Sequence, residues 1–228
     1  MSEPVPGDQT RIEAVVFDFG GVFTPSPFVA AHAYASSQDA DPAAFVRIVF
    51  GDYDTDTDHP WHRLERGELS MGDALAEIGA TAQAAGMQFD AGDMFRSIVD
   101  DDVDRGMVIA AVRSLRARGI TTAILTNNVR EYGDMWRAQI DADAHFDVIV
   151  DSCLEGIRKP DPAIYRLALE RLGIPAADAH RAVFLDDFEQ NVHAARAVGM
   201  HGILVGPDPR PALAELEALV AAGLIAPD

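Results

Sequence analysis

Short apolar runs mark the buried strands of this chain. The first, residues 12–19, is rich in β-branched and aromatic residues and stops at Gly20 and Gly21. An apolar run of this length that ends at glycine is typical of a strand buried on both faces. Four similar runs follow much later, at residues 121–126, 148–150, 182–185 and 202–205. The pattern predicts five buried strands, one of them far ahead of the other four.

Helical segments alternate with the four later strands. Residues 105–118 carry apolar side chains at helical spacing and end at Gly119, which is a signal for the end of a helix. Residues 161–172 and 188–198 are helical in pattern and are also followed by glycine. Strands that alternate with helices of this size form a parallel sheet with right-handed crossovers. We therefore predict an α/β fold.

A long insertion without a convincing strand separates the first strand from the rest of the predicted sheet. Asp41 followed by Pro42 predicts a helix start before residues 43–50. Ser70 predicts another before residues 71–85. The insertion is therefore expected to be a small helical domain.

The insertion also defines a predicted domain division. A further helical stretch at residues 93–99 leads into an acidic run at residues 100–104. We predict a helical cap domain of residues 25–104, with the acidic run near the hinge where the chain returns. The core domain would consist of residues 11–24 and 105–228.

Charge restricts the range of partners. The 228 residues include 18 basic and 37 acidic side chains, with a formal net charge of −19. This excess argues against nucleic acid or an anionic membrane as a partner, because a phosphate backbone is bound through clustered positive charge. It allows a small anionic substrate in a local pocket. The only lysine among the basic residues is Lys159.

The sequence also indicates a compartment. The single cysteine, Cys153, cannot close an intramolecular disulfide and favours a reducing environment. No apolar run approaches the roughly 18 to 20 residues of a membrane span. The polar, proline-broken start of the chain does not resemble a signal peptide. We expect a cytoplasmic protein, and the sequence does not indicate its oligomeric state.

Polar residues stand at the predicted carboxyl ends of the strands, where an open parallel sheet binds its ligands. They are Asp18 after the first run, Thr126, Asn127 and Asn128 after the second, and Asp186 and Asp187 after the fourth, with Lys159 just before a helix. Carboxylates brought together repel, so they either raise their pKa values or bind a cation. Hard oxygen ligands suit Mg²⁺. A carboxylate beside a metal and an ammonium group is also a credible nucleophile.

Four motifs taken together resemble the haloacid dehalogenase (HAD) superfamily. They are Val-Val-Phe-Asp18-Phe-Gly20-Gly-Val, Ile-Leu-Thr126-Asn-Asn, Lys159-Pro-Asp-Pro and Phe-Leu-Asp186-Asp187-Phe-Glu-Gln-Asn191, in the family's order. The resemblance implies a Rossmann-like parallel-sheet core with an inserted helical cap of the C1 type. The chain is most similar to sugar-phosphate phosphatases and epoxide-hydrolase N-terminal-like phosphatases, a similarity that extends to cap residues 61–70.

The resemblance also implies roles for individual residues. Asp18 would attack phosphorus and form an aspartyl-phosphate. The carboxylates of Asp18 and Asp187 and the carbonyl of Gly20 would hold Mg²⁺, with Asp186 acting through a bound water.

The remaining motif residues would bind the substrate. Thr126 and Asn127 would bind the phosphoryl group, and Lys159 would neutralise its charge. The expected activity is that of a Mg²⁺-dependent phosphomonoester hydrolase acting on a small phosphorylated metabolite.

Position 20 departs from the superfamily pattern. Most of its phosphatases carry a second aspartate there, which exchanges protons with the leaving group and the hydrolytic water, whereas this chain has Gly20. General acid–base help contributes roughly 10²–10⁴-fold. We therefore expect a slow phosphatase, an acid supplied by the cap or the substrate, or a different reaction. His62 is the first cap candidate for that acid and for a substrate contact.

Two other functions remain open at this point. A haloacid dehalogenase would use the same aspartate on carbon and needs no Mg²⁺, so the pair Asp186 and Asp187 argues against it. A phosphate-binding or regulatory protein could result if catalysis lapsed when position 20 became glycine.

Some of these residues also have structural interpretations. Asp187 and Gln190 fit a capping box, and Asn191 is expected to support nearby backbone groups.

A second acidic motif lies in the cap. Asp54, Asp56, Asp58 and Glu65 imitate the spacing of a calcium loop, but His59 stands where that loop requires glycine, so we expect a solvated acidic loop.

Overall fold

The computed structural model describes residues 11–96 and 105–224 and contains a five-stranded parallel sheet. The spatial order is β3-β2-β1-β4-β5. The strands are β1 (Ala14–Phe17), β2 (Thr121–Thr126), β3 (Val148–Asp151), β4 (Ala182–Asp186) and β5 (His201–Leu204). All five lie within or at most one residue beyond the predicted runs, so the α/β fold with a Rossmann-like parallel core is confirmed.

The sheet is buried on both faces, as the apolar runs predict. Val15 and Phe17 of β1 belong to one hydrophobic cluster, while Ala14 and Val16 belong to the cluster on the opposite face. Alternate side chains of a strand point to opposite faces, so each strand residue contributes to one of the two layers. Helices cover both faces for this reason.

Strand β1 lies at the centre of the sheet, between β2 and β4. The strand order reverses there, because β2 and β3 extend to one side and β4 and β5 to the other. The crevice beyond the carboxyl end of β1 is thus the place where such a sheet binds ligands. Asp18 directly follows this strand.

The core helices connect and flank these strands. They are α6 (Gly106–Ala117), α7 (Gly133–Gln139), α8 (Ala142–His145), α9 (Ser152–Glu155), α10 (Pro162–Arg171), α11 (Glu189–Ala197) and α12 (Arg210–Leu224). The three helices predicted from the sequence correspond to α6, α10 and α11. Helix α10 begins where Asp161 accepts a hydrogen bond from the Ala163 amide and Pro162 occupies the first turn.

The insertion contains five helices among the described residues. They are α1 (Pro27–Ser37), α2 (Pro42–Phe50), α3 (Pro60–Glu65), α4 (Met71–Ala84) and α5 (Ala91–Arg96). The predicted helix starts are confirmed, because Asp41 and Ser70 accept hydrogen bonds from backbone amides of the first turns of α2 and α4. Helices α1 and α3 were not among the predicted stretches, and each begins with a proline in its first turn.

The helical insertion has its own hydrophobic cluster, which includes Phe45, Phe50, Leu64, Ile78 and Met94. Together with the sheet this confirms the α/β core with an inserted helical cap. We keep residues 25–104 as the proposed cap, against 11–24 and 105–228. The polar start of the chain and the acidic run at residues 100–104 lie outside the described residues. No helix of the described part is long and apolar enough to cross a membrane.

Candidate active site

Asp18 lies at the carboxyl end of β1 and is only 8 % exposed. Its backbone amide donates to the Leu185 carbonyl at 2.8 Å, which extends the pairing of β1 with β4 by one residue. Its carboxylate Oδ1 accepts from the Phe19 amide at 2.7 Å and lies 2.9 Å from Lys159 Nζ. Asp18 is therefore held in one orientation from two sides.

Lys159 links the first and fourth strand ends. Its Nζ donates to Asp186 Oδ2 at 2.6 Å, and both side chains are almost fully buried. The Phe188 amide donates to Asp186 Oδ1 at 2.7 Å, and Asn191 Nδ2 lies 3.1 Å from both carboxylate oxygens. Asn191 thus orients the Asp186 carboxylate, whereas the sequence predicted that its side chain would support backbone groups.

Asp187 does not cap a helix, so the capping-box interpretation is wrong. Helix α11 begins at Glu189, its N-cap is Phe188, and no side chain caps it. Asp187 lies instead against Gly21, whose φ is +73° and where an added Cβ would fall 2.0 Å from the Asp187 Cγ. Only glycine at position 21 lets the loop after β1 approach this carboxylate.

Gly20 differs from Gly21 in its surroundings. An added Cβ at Gly20 would meet its nearest neighbour, the Cδ of Pro27, at 3.9 Å, which is ordinary van der Waals distance. Packing therefore allows a larger residue at position 20. The glycine there changes the chemistry of the site without being required by its shape.

Oxygen atoms of Asp18, Asp186 and Asp187 all lie within 4.8 Å of one another. Burial raises the pKa of Asp18 well above its usual range, and Asp186 and Asp187 add to this effect while Lys159 opposes it. Burial and the Asp186 carboxylate raise the pKa of Asp187 to about 7. Three close carboxylates against one ammonium group suit a hard divalent cation, because its charge would balance the excess.

Lys159 keeps its proton in this setting. Burial lowers the pKa of its ammonium group, but the carboxylates of Asp18 and Asp186 more than offset this, and the pKa is raised. A point charge is thereby fixed beside the carboxylate of Asp18.

Thr126 and Asn127 lie at the same edge of the sheet. Thr126 ends β2, pairs with Asp151 of β3 and is 1 % exposed. Asn127 holds the backbone of Lys159, since its Oδ1 accepts from the Lys159 amide at 2.8 Å and its Nδ2 donates to the Lys159 carbonyl at 3.0 Å. Asn127 therefore also positions the loop that carries the ammonium group.

A cavity of about 80 Å³ opens in front of Asp18. Its walls include Lys159 and Asp187 from the core and three cap residues, Tyr53, Trp61 and Glu65. Asp18, Asn127, Lys159 and Asp187 thus meet the cap at one chamber. Thr126, Asn128 and Asp186 lie at the same edge of the sheet but do not line this cavity.

His62 occupies a different place from the one expected. It is fully buried and is not among the residues that line this cavity, and its Nδ1 accepts from the Thr57 amide at 3.0 Å. Burial, followed by the positive charge of Arg158, lowers the pKa of His62 to about 3. The structure therefore makes His62 a neutral packing residue, which corrects the expectation of a cap acid or substrate contact at this position.

The cap contributes a network that the sequence did not indicate. Glu65 Oε1 accepts from the Tyr53 hydroxyl at 2.6 Å and from Trp61 Nε1 at 2.8 Å, and its Oε2 accepts from Arg158 Nε at 2.7 Å. The Ser152 hydroxyl donates to the Glu65 carbonyl at 2.6 Å. We call Tyr53, Trp61, Glu65 and Arg158 the cap clamp, because they join the cap to the core.

The contacts in the cap clamp also argue against Glu65 as a ligand of a calcium loop. A calcium loop would need this carboxylate, but both of its oxygens are bound by the clamp residues. The only sequence signal for the clamp was the resemblance of residues 61–70 to related caps.

A profile of the haloacid dehalogenase-like hydrolase family matches residues 12–199. The chain belongs to this family and is a HAD-type hydrolase. It is 34 % identical over 91 % of its length to mouse acyl-CoA dehydrogenase family member 10 and 30 % identical over 90 % to mouse bifunctional epoxide hydrolase 2. It spans only 19 % and 38 % of these two relatives. It is also 29 % identical over 85 % of its length to the sesquiterpene phosphatase astK of Aspergillus oryzae, of which it covers 90 %.

Solved structures support the same fold. A HAD family enzyme from Bacteroides thetaiotaomicron, in complex with magnesium and inorganic phosphate, superimposes with a TM-score of 0.57 at 16 % identity, over 86 % of this chain and 95 % of that one. An L-2-haloacid dehalogenase from Xanthobacter autotrophicus with covalently bound chloropropionic acid gives 0.56 at 20 % identity, over 95 % and 85 %. At such identities the similarity establishes the fold alone.

Proposed function

We propose that the protein is a Mg²⁺-dependent phosphomonoester hydrolase that acts on a small phosphorylated metabolite through an aspartyl-phosphate at Asp18. The observation that carries the proposal is the buried cluster of Asp18, Asp186 and Asp187 around a single fixed ammonium group, Lys159. This arrangement combines a nucleophile, a cation site and an anion contact within one small chamber.

The chain's own residues account for the steps of such a reaction. A carboxylate oxygen of Asp18 forms a bond to phosphorus while the bond from phosphorus to the alcohol oxygen breaks. Water then hydrolyses the aspartyl-phosphate and releases inorganic phosphate. Thr126 and the amides that follow β2 bind the phosphoryl oxygens, and Lys159 stabilises the charge that develops on them.

The donor set fits Mg²⁺. The Asp18 and Asp187 carboxylates and the Gly20 carbonyl would hold the ion, with Asp186 acting through a water, and the bound ion supplies charge neutralisation at the phosphoryl group. The magnesium and phosphate bound in the Bacteroides relative support this assignment. A reducing, cytoplasmic location is part of the proposal, and the buried free thiol of Cys153 supports it.

The alcohol that leaves needs a proton that Gly20 cannot supply, and we assign it to the cap. Tyr53 lines the cavity together with Asp18. Burial, with a further contribution from Glu65, raises the pKa of the Tyr53 phenol well above its usual value, so it stays protonated at neutral pH. Asn127 Nδ2 lies 3.3 Å from this hydroxyl and ties it to the phosphoryl side of the chamber. In the structure the Tyr53 hydroxyl donates its proton to Glu65 Oε1 at 2.6 Å, so Tyr53 serves as a general acid only when this hydroxyl turns from Glu65 to the alcohol oxygen.

The fungal relative supports phosphatase chemistry, because it is a sesquiterpene phosphatase and the chain covers 90 % of its length. Dehalogenation is the second function to test, since a haloacid dehalogenase shares the fold. The paired carboxylates Asp186 and Asp187 favour the phosphatase, because attack on carbon requires no cation.

A substrate panel tests the proposal. Purified protein with Mg²⁺ should release phosphate from at least one class of phosphomonoester, EDTA should abolish the release, and Asp18→Asn should reduce it to background. Chloride release from 2-chloropropionate that persists in EDTA would instead establish the dehalogenase. Absence of turnover on the whole panel, with phosphate still binding, would indicate the binding protein with lapsed catalysis.

A further inference from the structure

A second cavity of about 240 Å³ adjoins the chamber in front of Asp18. The two share five wall residues, which are Gly20, Pro27, Trp61, Glu65 and Asn127. The second cavity is three times larger than the first, and Thr126 of the phosphoryl site lies in its wall. When a phosphoryl group occupies the chamber at Asp18, the second cavity would therefore have room for a larger alcohol group.

The walls of the second cavity are largely apolar and aromatic. They include Phe19, Trp61, Phe95, Val129, Met135 and Trp136. Trp61 stacks on Phe95 with ring centroids 6.0 Å apart, and Phe19 lies 5.2 Å from Trp136. The Met135 side chain is 62 % exposed, an unusual position for a large apolar group. Aromatic walls that continue to an exposed methionine form a slot suited to an apolar ligand.

Several polar groups in these walls already have partners within the protein. Glu65 is the one charged residue among the described walls of this cavity, and both of its carboxylate oxygens are bound by the cap clamp. Asn127 holds the Lys159 backbone, and Asn128 Oδ1 accepts from the Val129 amide at 2.8 Å. The other polar side chains of the walls include Thr126, Tyr132 and Gln139. A sugar or charged alcohol placed here would lose its hydration against a largely apolar lining and gain few matching partners.

We propose that the second cavity binds the alcohol part of the substrate and selects phosphate monoesters of apolar alcohols over sugar phosphates. This inference rests on the proposed phosphatase function and specifies its substrate class. The proposed substrate class differs from that of the sugar-phosphate phosphatases that the sequence resembles. Because apolar surface is buried as the chain of the alcohol lengthens, specificity should rise with each methylene until the cavity is full.

A homologous series of n-alkyl phosphates tests this inference. Each added methylene from butyl to octyl should raise kcat/KM about three- to fourfold, which corresponds to about 0.8 kcal/mol per buried methylene. All substrates are kept below their micelle-forming concentrations. Glucose 6-phosphate and glycerol 3-phosphate should be turned over less efficiently than octyl phosphate. A flat series, or equal efficiency with the two polar phosphates, would overturn the inference while leaving the phosphatase intact.

Variants at the rim of the second cavity test whether this cavity is the source of the chain-length selectivity. Met135→Glu should lower kcat/KM for octyl phosphate about tenfold and thereby flatten the increase from butyl to octyl phosphate. Leu154→Glu is the matched control, because Leu154 is 58 % exposed but lines neither cavity. Loss of selectivity in the control, or none in Met135→Glu, would contradict the assignment of this cavity.

Binding of the same phosphates to Asp18→Asn tests the apolar site independently of the proposed phosphatase activity. Calorimetry with Mg²⁺ and the same phosphates should give dissociation constants that fall with chain length. If the wild-type protein turns over no phosphate but this trend is found, the proposed function fails and the apolar site stands. If the variant binds octyl phosphate no better than glycerol 3-phosphate, the apolar site is refuted.

Discussion

The chamber around Asp18 and the cap clamp are both buried, charged clusters, but they balance charge in opposite ways. In the chamber, three carboxylates meet one ammonium group, so negative charge is in excess. In the clamp, the single carboxylate of Glu65 is matched by the Arg158 guanidinium and by two neutral donors, Tyr53 and Trp61. Removing one partner from a balanced buried cluster destabilises a structure, because the remaining charge is left uncompensated, whereas an unbalanced cluster indicates a binding site.

The largest expected effect is a contrast between the adjacent cations Lys159 and Arg158, since loss of the first should affect activity and loss of the second stability. Lys159→Ala should lower kcat/KM about 10³-fold or more, because a preorganised charge at the phosphoryl group is lost. The fold should persist in saturating Mg²⁺, because the ion would balance the carboxylates of Asp18 and Asp186 that lose their ammonium partner. Arg158→Met should instead leave Glu65 unpaired and reduce the free energy of unfolding by about 3–5 kcal/mol, with kcat changing less than tenfold. Phosphatase kinetics and thermal unfolding of both variants measure the contrast. Near-normal activity in Lys159→Ala would count heavily against the site described above.

A smaller effect of opposite sign is expected at position 20. Gly20→Asp should raise kcat about 10²-fold, since packing allows a side chain there and an acid beside the leaving group supplies the missing proton transfer. Single-turnover kinetics with an alkyl phosphate at pH 7 measures the gain. Gly20→Asn is the matched control, because it adds similar volume without an acid and should give no increase.

The same variant tests the role of Tyr53. Tyr53→Phe should lower kcat about 10-fold to 100-fold in the wild-type background and less than threefold in Gly20→Asp, because one acid suffices. Equal losses in both backgrounds would show that Tyr53 acts by packing in the cap clamp.

The smallest effect concerns stability and pH. The pKa of Asp187 is about 7 in the folded protein against an ordinary value of 3.8, so the folded state retains a proton that the unfolded chain releases. The free energy of unfolding contributed by this group therefore falls as pH rises from about 4 to 7. In EDTA, Asp187→Asn should have a higher Tm than the wild type at pH 8, and the difference should vanish near pH 4.

Mg²⁺ and a surface carboxylate provide the controls for that measurement. Saturating Mg²⁺ at pH 8 should raise the Tm of the wild type but not that of the variant. Asp208→Asn should give no gain at any pH, because Asp208 is exposed and its pKa is lowered by Arg210. A lower Tm of Asp187→Asn at pH 8 would mean that this carboxylate supports the fold.

The strands and the positions of the motif residues could be predicted from the sequence. Residues 121–126 match β2 at both ends, and the run at 182–185 differs from β4 by one residue. Local pattern was sufficient there, because a strand buried on both faces is a continuous apolar run that polar or glycine residues terminate. Since parallel strands end at the same edge, the sequence places Asp18 and Asp186 together.

Only the tertiary structure decided what the cap contributes. Glu65 and Arg158 are separated by 93 positions in sequence, and His62 is drawn inward while Tyr53 faces the chamber. Helical pattern predicts which side of a helix is apolar, but it does not specify which distant charge or cavity that side meets. The sequence by itself therefore determined the sheet and the charged residues at its edge. The clamp, the proton donor and the apolar cavity depended on packing between segments far apart in the chain.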